Sequence, residues 1–187
     1  MPRHTVTAVL DADVLVPLLT CDLLLTAFEL ELYLPVVTTK ILAEVERSLI
    51  VDFPRIDSSV LLHRARLMAA ALEFNTYPDV EDHRDRVATV NAKDRHVASA
   101  AARLKATVVV TNDRRLREEI NAPDRPFRGV TGDTFLASLA DEDPARFGAV
   151  IDALVAKRTR PAIDRARLLV ALEPMFPILV GRVRAPK

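Results

Sequence analysis

Five carboxylates stand where chemistry could be done: Asp11 and Asp13 in "VLDADV", Glu44 in "ILAEVE", Asp94 in "AKDRHV" and Asp113 in "VVTNDRR". Three or four such groups brought together repel one another, and burying them uncompensated costs several kcal/mol. A cation between them is therefore expected. Oxygen-only ligands suit a hard divalent ion, Mg²⁺ or Mn²⁺, as one ion or two. His96 falls two residues after Asp94, on a different face of the helix expected there, so the set holds no basic group and zinc is disfavoured.

The elements that must position these acids alternate along the chain. "TVTAVL" (Thr5 to Leu10) is β-branched, apolar and too short for a helix, and reads as a buried strand ending at Asp11. A helical pattern runs on to about Glu31, with Pro17 acceptable only in its first turn. "YLPVV" (Tyr33 to Val37) reads as a second strand, and Thr38 or Thr39 caps a helix striped with Ile41, Leu42, Val45 and Leu49. Another helix spans roughly Ser58 to Glu73, and the polar "NTYPDVEDHRDR" is a loop. Asp94 opens an Ala-rich helix and shares its inner face with Val97, Ala98 and Ala101. "TVVVT" (Thr107 to Thr111) is a strand, Arg114 to Ile120 a short helix, "PFRGV" an edge strand and "GDTFLASLA" a helix begun by Asp133. Such alternation predicts an α/β fold, a three-layer sandwich around a central parallel sheet. From Pro144 onward only helical patterns remain. The expected division is a domain over residues 1–140 and a helical extension over 141–187.

In a parallel sheet, function collects at the carboxyl ends of the strands. Asp11 and Asp113 both follow strands there, the start of the Asp94 helix lies at the same edge, and Glu44 stands beside the Ile41 and Val45 stripe. Each acid also has a plainer role open to it. Asp94 and Asp13 suit helix N-caps, Asp113 suits the bend after a strand, and Glu44 suits a solvated helix face. Joint placement favours the shared site.

Composition narrows the classes. The 187 residues carry 26 Lys plus Arg against 26 Asp plus Glu, and half are apolar, which fits a folded domain rather than a disordered chain. None of the four glycines falls in a phosphate-loop pattern. A single cysteine, Cys21, permits no internal disulfide; on its apolar helix it suits a small buried hydrophobe better than a nucleophile. No apolar run is long enough to span a membrane, and two acids stand where a secretory leader would be apolar, so the cytoplasm is expected. Charge is unevenly spread: residues 156–187 carry +6 and the rest −6. That basic tail is expected to touch an RNA backbone or an acidic partner. Arg114, Arg115 and Arg117, directly after Asp113, are candidates for holding phosphates.

In order and separation, "AVLDADVLVP", "ILAEVERSL", "KDRHVASAAARLKA" and "VVVTNDRRL" resemble the four acidic motifs of PIN domains, the fold of VapC toxins and related ribonucleases. The resemblance covers roughly residues 5–135 and implies a metal-dependent endoribonuclease, the toxin of a type II toxin-antitoxin pair, with a VapB-like antitoxin as partner; the leucine-rich helix "DLLLTAFEL" and the Ser58 to Glu73 helix suit core or the surface of a homodimer. By the resemblance, Asp11, Glu44, Asp94 and Asp113 are the catalytic metal ligands, with Asp13, Thr111 and Asn112 supporting them. Asp13 departs from the family, which commonly has Asn or Ser there. The helices from about Pro144 resemble the C-terminal extension of a VapC-like subgroup. Two alternatives remain: a haloacid-dehalogenase-like phosphatase using Asp11 and Asp13, with Gly132-Asp133 only superficially like its late acid, and a non-catalytic RNA- or protein-binding module.

Overall fold

The computed structural model describes residues 6–79, 87, 90–123, 125–159 and 161–184. Thr5, His83, the rest of the acidic loop at 80–86, Arg160 and Lys187 lie outside the described residues. Five strands, β1 (Thr7–Leu10), β2 (Leu34–Thr38), β3 (Thr76–Tyr77), β4 (Val108–Val110) and β5 (Arg128–Val130), form one sheet in the order β3-β2-β1-β4-β5. All its pairings are parallel. Helices flank this sheet, and Ala8, Val9, Leu10, Val36, Val37 and Val108 to Val110 are buried. That burial is why these strands read as continuous apolar runs instead of alternating ones.

Crossovers supply the helices α1 (Ala12–Leu15), α2 (Leu18–Glu29), α3 (Thr39–Asp52), α4 (Ser58–Ala71), α5 (Arg95–Leu104) and α6 (Arg114–Ile120), and α7 (Gly132–Glu142) follows the last strand. The single helix expected from Asp11 to Glu31 is instead two. Pro17 has no N–H to continue the ladder, so α1 stops and Pro17 becomes the N-cap of α2. Arg64 of α4 then donates to the freed carbonyls of Leu15, at 3.3 Å, and Val16, at 2.8 Å. Thr38 caps α3 through the Ile41 N–H at 3.2 Å. α7 is capped by Thr131, whose hydroxyl accepts from Thr134 N, and Asp133 sits in its first turn. The expected cap at Asp133 is thus displaced by two residues.

Beyond α7, which itself runs across residues 140–141, come α8 (Pro144–Lys157), α9 (Arg165–Leu172) and α10 (Pro177–Arg184). They join the same hydrophobic core as the sheet: α8 packs on α2, and α10 lies along α7. The Asp133 carboxylate accepts from Ile178 N at 3.1 Å and Leu179 N at 2.9 Å, tying the start of α10 to α7. No helix among the described residues is long and apolar enough to cross a membrane.

Candidate acid-lined site

The chain leaves β1 toward β2 on one side and reaches β4 on the other, so the strand order reverses beside β1. In an open parallel sheet that reversal opens a crevice at the carboxyl ends. Leu10 pairs with Val110 across it, which sets Asp11 and Thr111 at one level. A cavity of about 510 Å³ opens there, lined by Asp11, Asp13, Glu44, Asp94 and Asp113 among others. All four expected ligands and the fifth acid therefore face one space, delivered by β1, α1, α3, α5 and the β4–α6 turn. The carboxylates surround the cavity without meeting at a point: among the described residues, no three His, Cys, Asp or Glu side chains are gathered closely enough to hold a metal ion as they stand.

Thr111 is the hub. Its buried hydroxyl donates to Asp11 Oδ2 at 2.7 Å, lies 3.1 Å from Asp13 Oδ2, and accepts from Asp113 N at 3.1 Å. One hydroxyl proton serves two carboxylates. Asp11 is also the N-cap of α1, accepting from Ala12 N at 2.7 Å. Asp13 does not cap that helix; its Oδ2 accepts from Asn112 N at 2.8 Å, while its Oδ1 is buried and has no partner among the described residues. Asn112 Oδ1 accepts from Gly132 N at 3.2 Å, which fixes the turn from the far side. Asp113 caps α6 through Leu116 N at 3.0 Å, and Asp94 occupies the N-cap position of α5 with no side-chain cap bond. The cap bond expected of Asp94 and Asp13 is thus absent from both, while Asp113, expected only in the bend after a strand, caps a helix.

His96 corrects the sequence reading. It is buried against the acids, with Nε2 3.0 Å from Glu44 Oε2 and Nδ1 3.0 Å from the Lys93 carbonyl. A helical wheel of α5 alone could not show this, because Glu44 arrives from α3 to meet the face that α5 turns away from Asp94. Two cations at the mouth were also missed: Arg47 and Lys93 line the cavity. Arg47 stands one turn after Glu44 and Lys93 directly before Asp94, spacings that could have revealed both. Arg114, Arg115 and Arg117 do not line it. Arg114 and Arg115 pair with Glu118 and Glu119 one turn on, and Arg117 Nη1 donates to the Thr111 carbonyl at 2.9 Å. Asp133, engaged on α10, does not line it either.

Burial dominates the titration of the inner pair. It pushes Asp11 above the usual carboxylate range, against the Thr111 and Ala12 hydrogen bonds. Burial first, and then the charge of Asp11, push Asp13 up to about 7. Cys21, buried on α2, is pushed up to about 11 by burial, so it is a thiol and a packing residue.

A pH dependence follows. The folded Asp13 carboxyl keeps its proton to a higher pH than the unfolded chain, so stability falls as pH rises from about 4, the ordinary value, to about 7. Asp13→Asn retains an acceptor for Asn112 N and removes the charge. Thermal melts in chelator are expected to show the variant more stable than the parent at pH 8, by about 1–3 kcal/mol, with the two converging near pH 4.5. Parallel melting curves across that range would refute the assignment.

Compared with known proteins, the chain matches no family model, no curated protein and no solved structure.

Proposed function

We propose that this chain is a divalent-metal-dependent endoribonuclease of the PIN type, with Asp11, Glu44, Asp94 and Asp113 holding one or two Mg²⁺ or Mn²⁺ ions. The observation that carries the reading is the acid-lined cavity at the strand-order reversal, where the carboxylates of Asp11, Asp13, Glu44, Asp52, Asp94 and Asp113 line one space. Its chemistry fits a hard cation: the donors are carboxylate oxygens, Asp13 Oδ1 is buried without a partner among the described residues, and burial raises the pKa of both Asp11 and Asp13, as uncompensated carboxylates require. Since both nitrogens of His96 are already engaged, the free donors remain oxygens.

A divalent ion, when bound, supplies activation of a water and neutralisation of charge on the scissile phosphate. The chain's own residues do the rest. Thr111 orients Asp11 and Asp13, the Asn112 N–H holds Asp13, and His96 fixes one oxygen of Glu44. In-line attack leaves a 5′-phosphate and a 3′-hydroxyl, as the motif resemblance implies. The same resemblance carries the role as a toxin and the VapB-like antitoxin; a homodimer and a cytoplasmic place of action complete the proposal. The late acid that a dehalogenase-like phosphatase would need is not favoured at Asp133, which is occupied in capping α10.

The test is incubation of the purified chain with an RNA containing stems and loops, in Mg²⁺, in Mn²⁺ and in excess chelator, with the product ends typed. Internal cleavage in either metal, 5′-phosphate ends and arrest by chelator are expected. Intact RNA in both metals, or cleavage indifferent to chelator, contradicts the reading.

A further inference from the structure

The acid-lined cavity does not stop at its carboxylates. At the end of α3 it is lined by Arg47, Ser48, Val51 and Asp52, and Asp52 also lines a second cavity of about 330 Å³. This second space is formed by Phe53, Pro54, Arg55 and Ile56, the turn that joins α3 to α4. The turn is well held. Phe53 N donates to the Leu49 carbonyl and Ile56 N to the Phe53 carbonyl, Pro54 fixes its own φ, and Asp57 caps α4 through Ser59 N at 2.7 Å.

Its side chains are nevertheless left open. Ile56 is 46% exposed and Val51 68%. Arg47, Arg55 and Lys93 are exposed, and none has a side-chain partner among the described residues, although acids crowd the neighbouring cavity. Arg114 and Arg115, on α6, are paired instead. Unpaired cations beside an apolar concavity suit a polyanion that also carries flat apolar faces.

We propose that the α3–α4 turn is the seat of an unpaired nucleobase flanking the cleaved phosphodiester, with Arg55 on the base and Arg47 on an adjoining backbone phosphate. The inference rests on the nuclease reading and adds a base seat beside its cavity, at the α3–α4 turn. A base inside a duplex is stacked on both faces and cannot enter such a cavity, whereas a splayed base stacks on Phe53, Ile56 and the Arg55 guanidinium plane. Asp52, between the two spaces, offers an acceptor to an N–H of the base edge.

The experiment measures anisotropy of a fluorescein-labelled ten-nucleotide oligoadenylate with the full chain in Ca²⁺, the probe being checked for intactness on a gel. The same strand annealed to its complement and a strand of abasic residues are run beside it. The single strand is expected to bind about 10-fold more tightly than the duplex. Ile56→Ser and Arg55→Ala are each expected to weaken single-strand binding about 5-fold, and neither changes duplex binding. Arg47→Ala is expected to reduce the slope of log affinity against log salt by about one. On the abasic strand the Ile56→Ser variant should bind like the parent, because the base it serves is gone. Equal affinity for single strand and duplex, or variants that bind the single strand as the parent does, overturns the proposal. Cleavage of RNA by the parent in Mg²⁺ is measured in parallel. Cleavage with unchanged variant affinities overturns the base seat alone, whereas single-strand preference without cleavage in Mg²⁺ or Mn²⁺ overturns the nuclease reading.

Discussion

Asp94→Asn is expected to lower Mg²⁺-dependent RNA cleavage by about 100-fold or more while leaving the fold intact. Asp94 lines the acid cavity but makes no side-chain cap bond to α5. The substitution removes a charge and no hydrogen bond on which the helix depends, so its stability cost should stay within about 0.5 kcal/mol. That separation is what makes the variant informative. A residue acting only as a cap is served equally well by Asn, and an active Asp94→Asn protein would remove Asp94 from the site. Asp13→Asn, by contrast, is expected to cleave RNA nearly as well as the parent, because Asp13 supports the site through Thr111 and Asn112. If Asp13 were instead the acid-base group of a phosphatase, its loss would match that of Asp11→Asn.

The second large effect is on stability. Removal of residues 156–187 is expected to leave a chain that does not fold. Leu168, Leu169, Leu172, Phe176, Leu179 and Val180 are all buried, and at about 1.5–3 kcal/mol for each such side chain their loss is as large as the whole stability of an ordinary domain, roughly 5–15 kcal/mol. Far-UV circular dichroism and thermal melts of the truncated protein test this directly; a cooperative transition near that of the parent would show the tail to be dispensable.

The same residues revise the expectation drawn from charge. The tail's +6 suggested a surface free to meet RNA, yet five of its eight cations are occupied: Lys157 with Glu29, Arg158 with Asp22, Arg165 with Asp152, Arg182 with Asp141 and Arg184 with Glu173. Their partners are spread along the chain from α2 to α9. A count of charges along the sequence records their number and not the pairs they form on folding. Such half-exposed pairs add little stability individually. Arg47, Arg55 and Lys93, which line the two cavities, have no such side-chain partner among the described residues.

What could be read from the sequence was what a single element determines. A buried strand ending in Asp11 and another followed two residues on by Asp113 place both acids at one edge, and the Thr38 cap and the limits of α6 at Arg114 and Ile120 follow from local chemistry. Contacts between elements were not legible. His96 meets Glu44 only because α3 and α5 approach each other, and Asp133 leaves its own helix to cap α10 from 45 residues away. Pro17 was a local signal that could have been read more strictly: a residue without an N–H, six positions after Asp11, splits the helix and leaves carbonyls that Arg64 must satisfy.

Calorimetric titration of the metal-free protein with Mn²⁺ tests the central claim most directly, since it asks for the ion and not for an unknown RNA. The parent is expected to take up one or two ions, with binding weakened about 10-fold or more in Asp11→Asn and in Asp94→Asn. Asp133→Asn, whose position lies outside the cavity, should bind as the parent does. No uptake by the parent, or uptake that Asp11→Asn and Asp94→Asn leave unchanged, would contradict the claim that these carboxylates form a metal site.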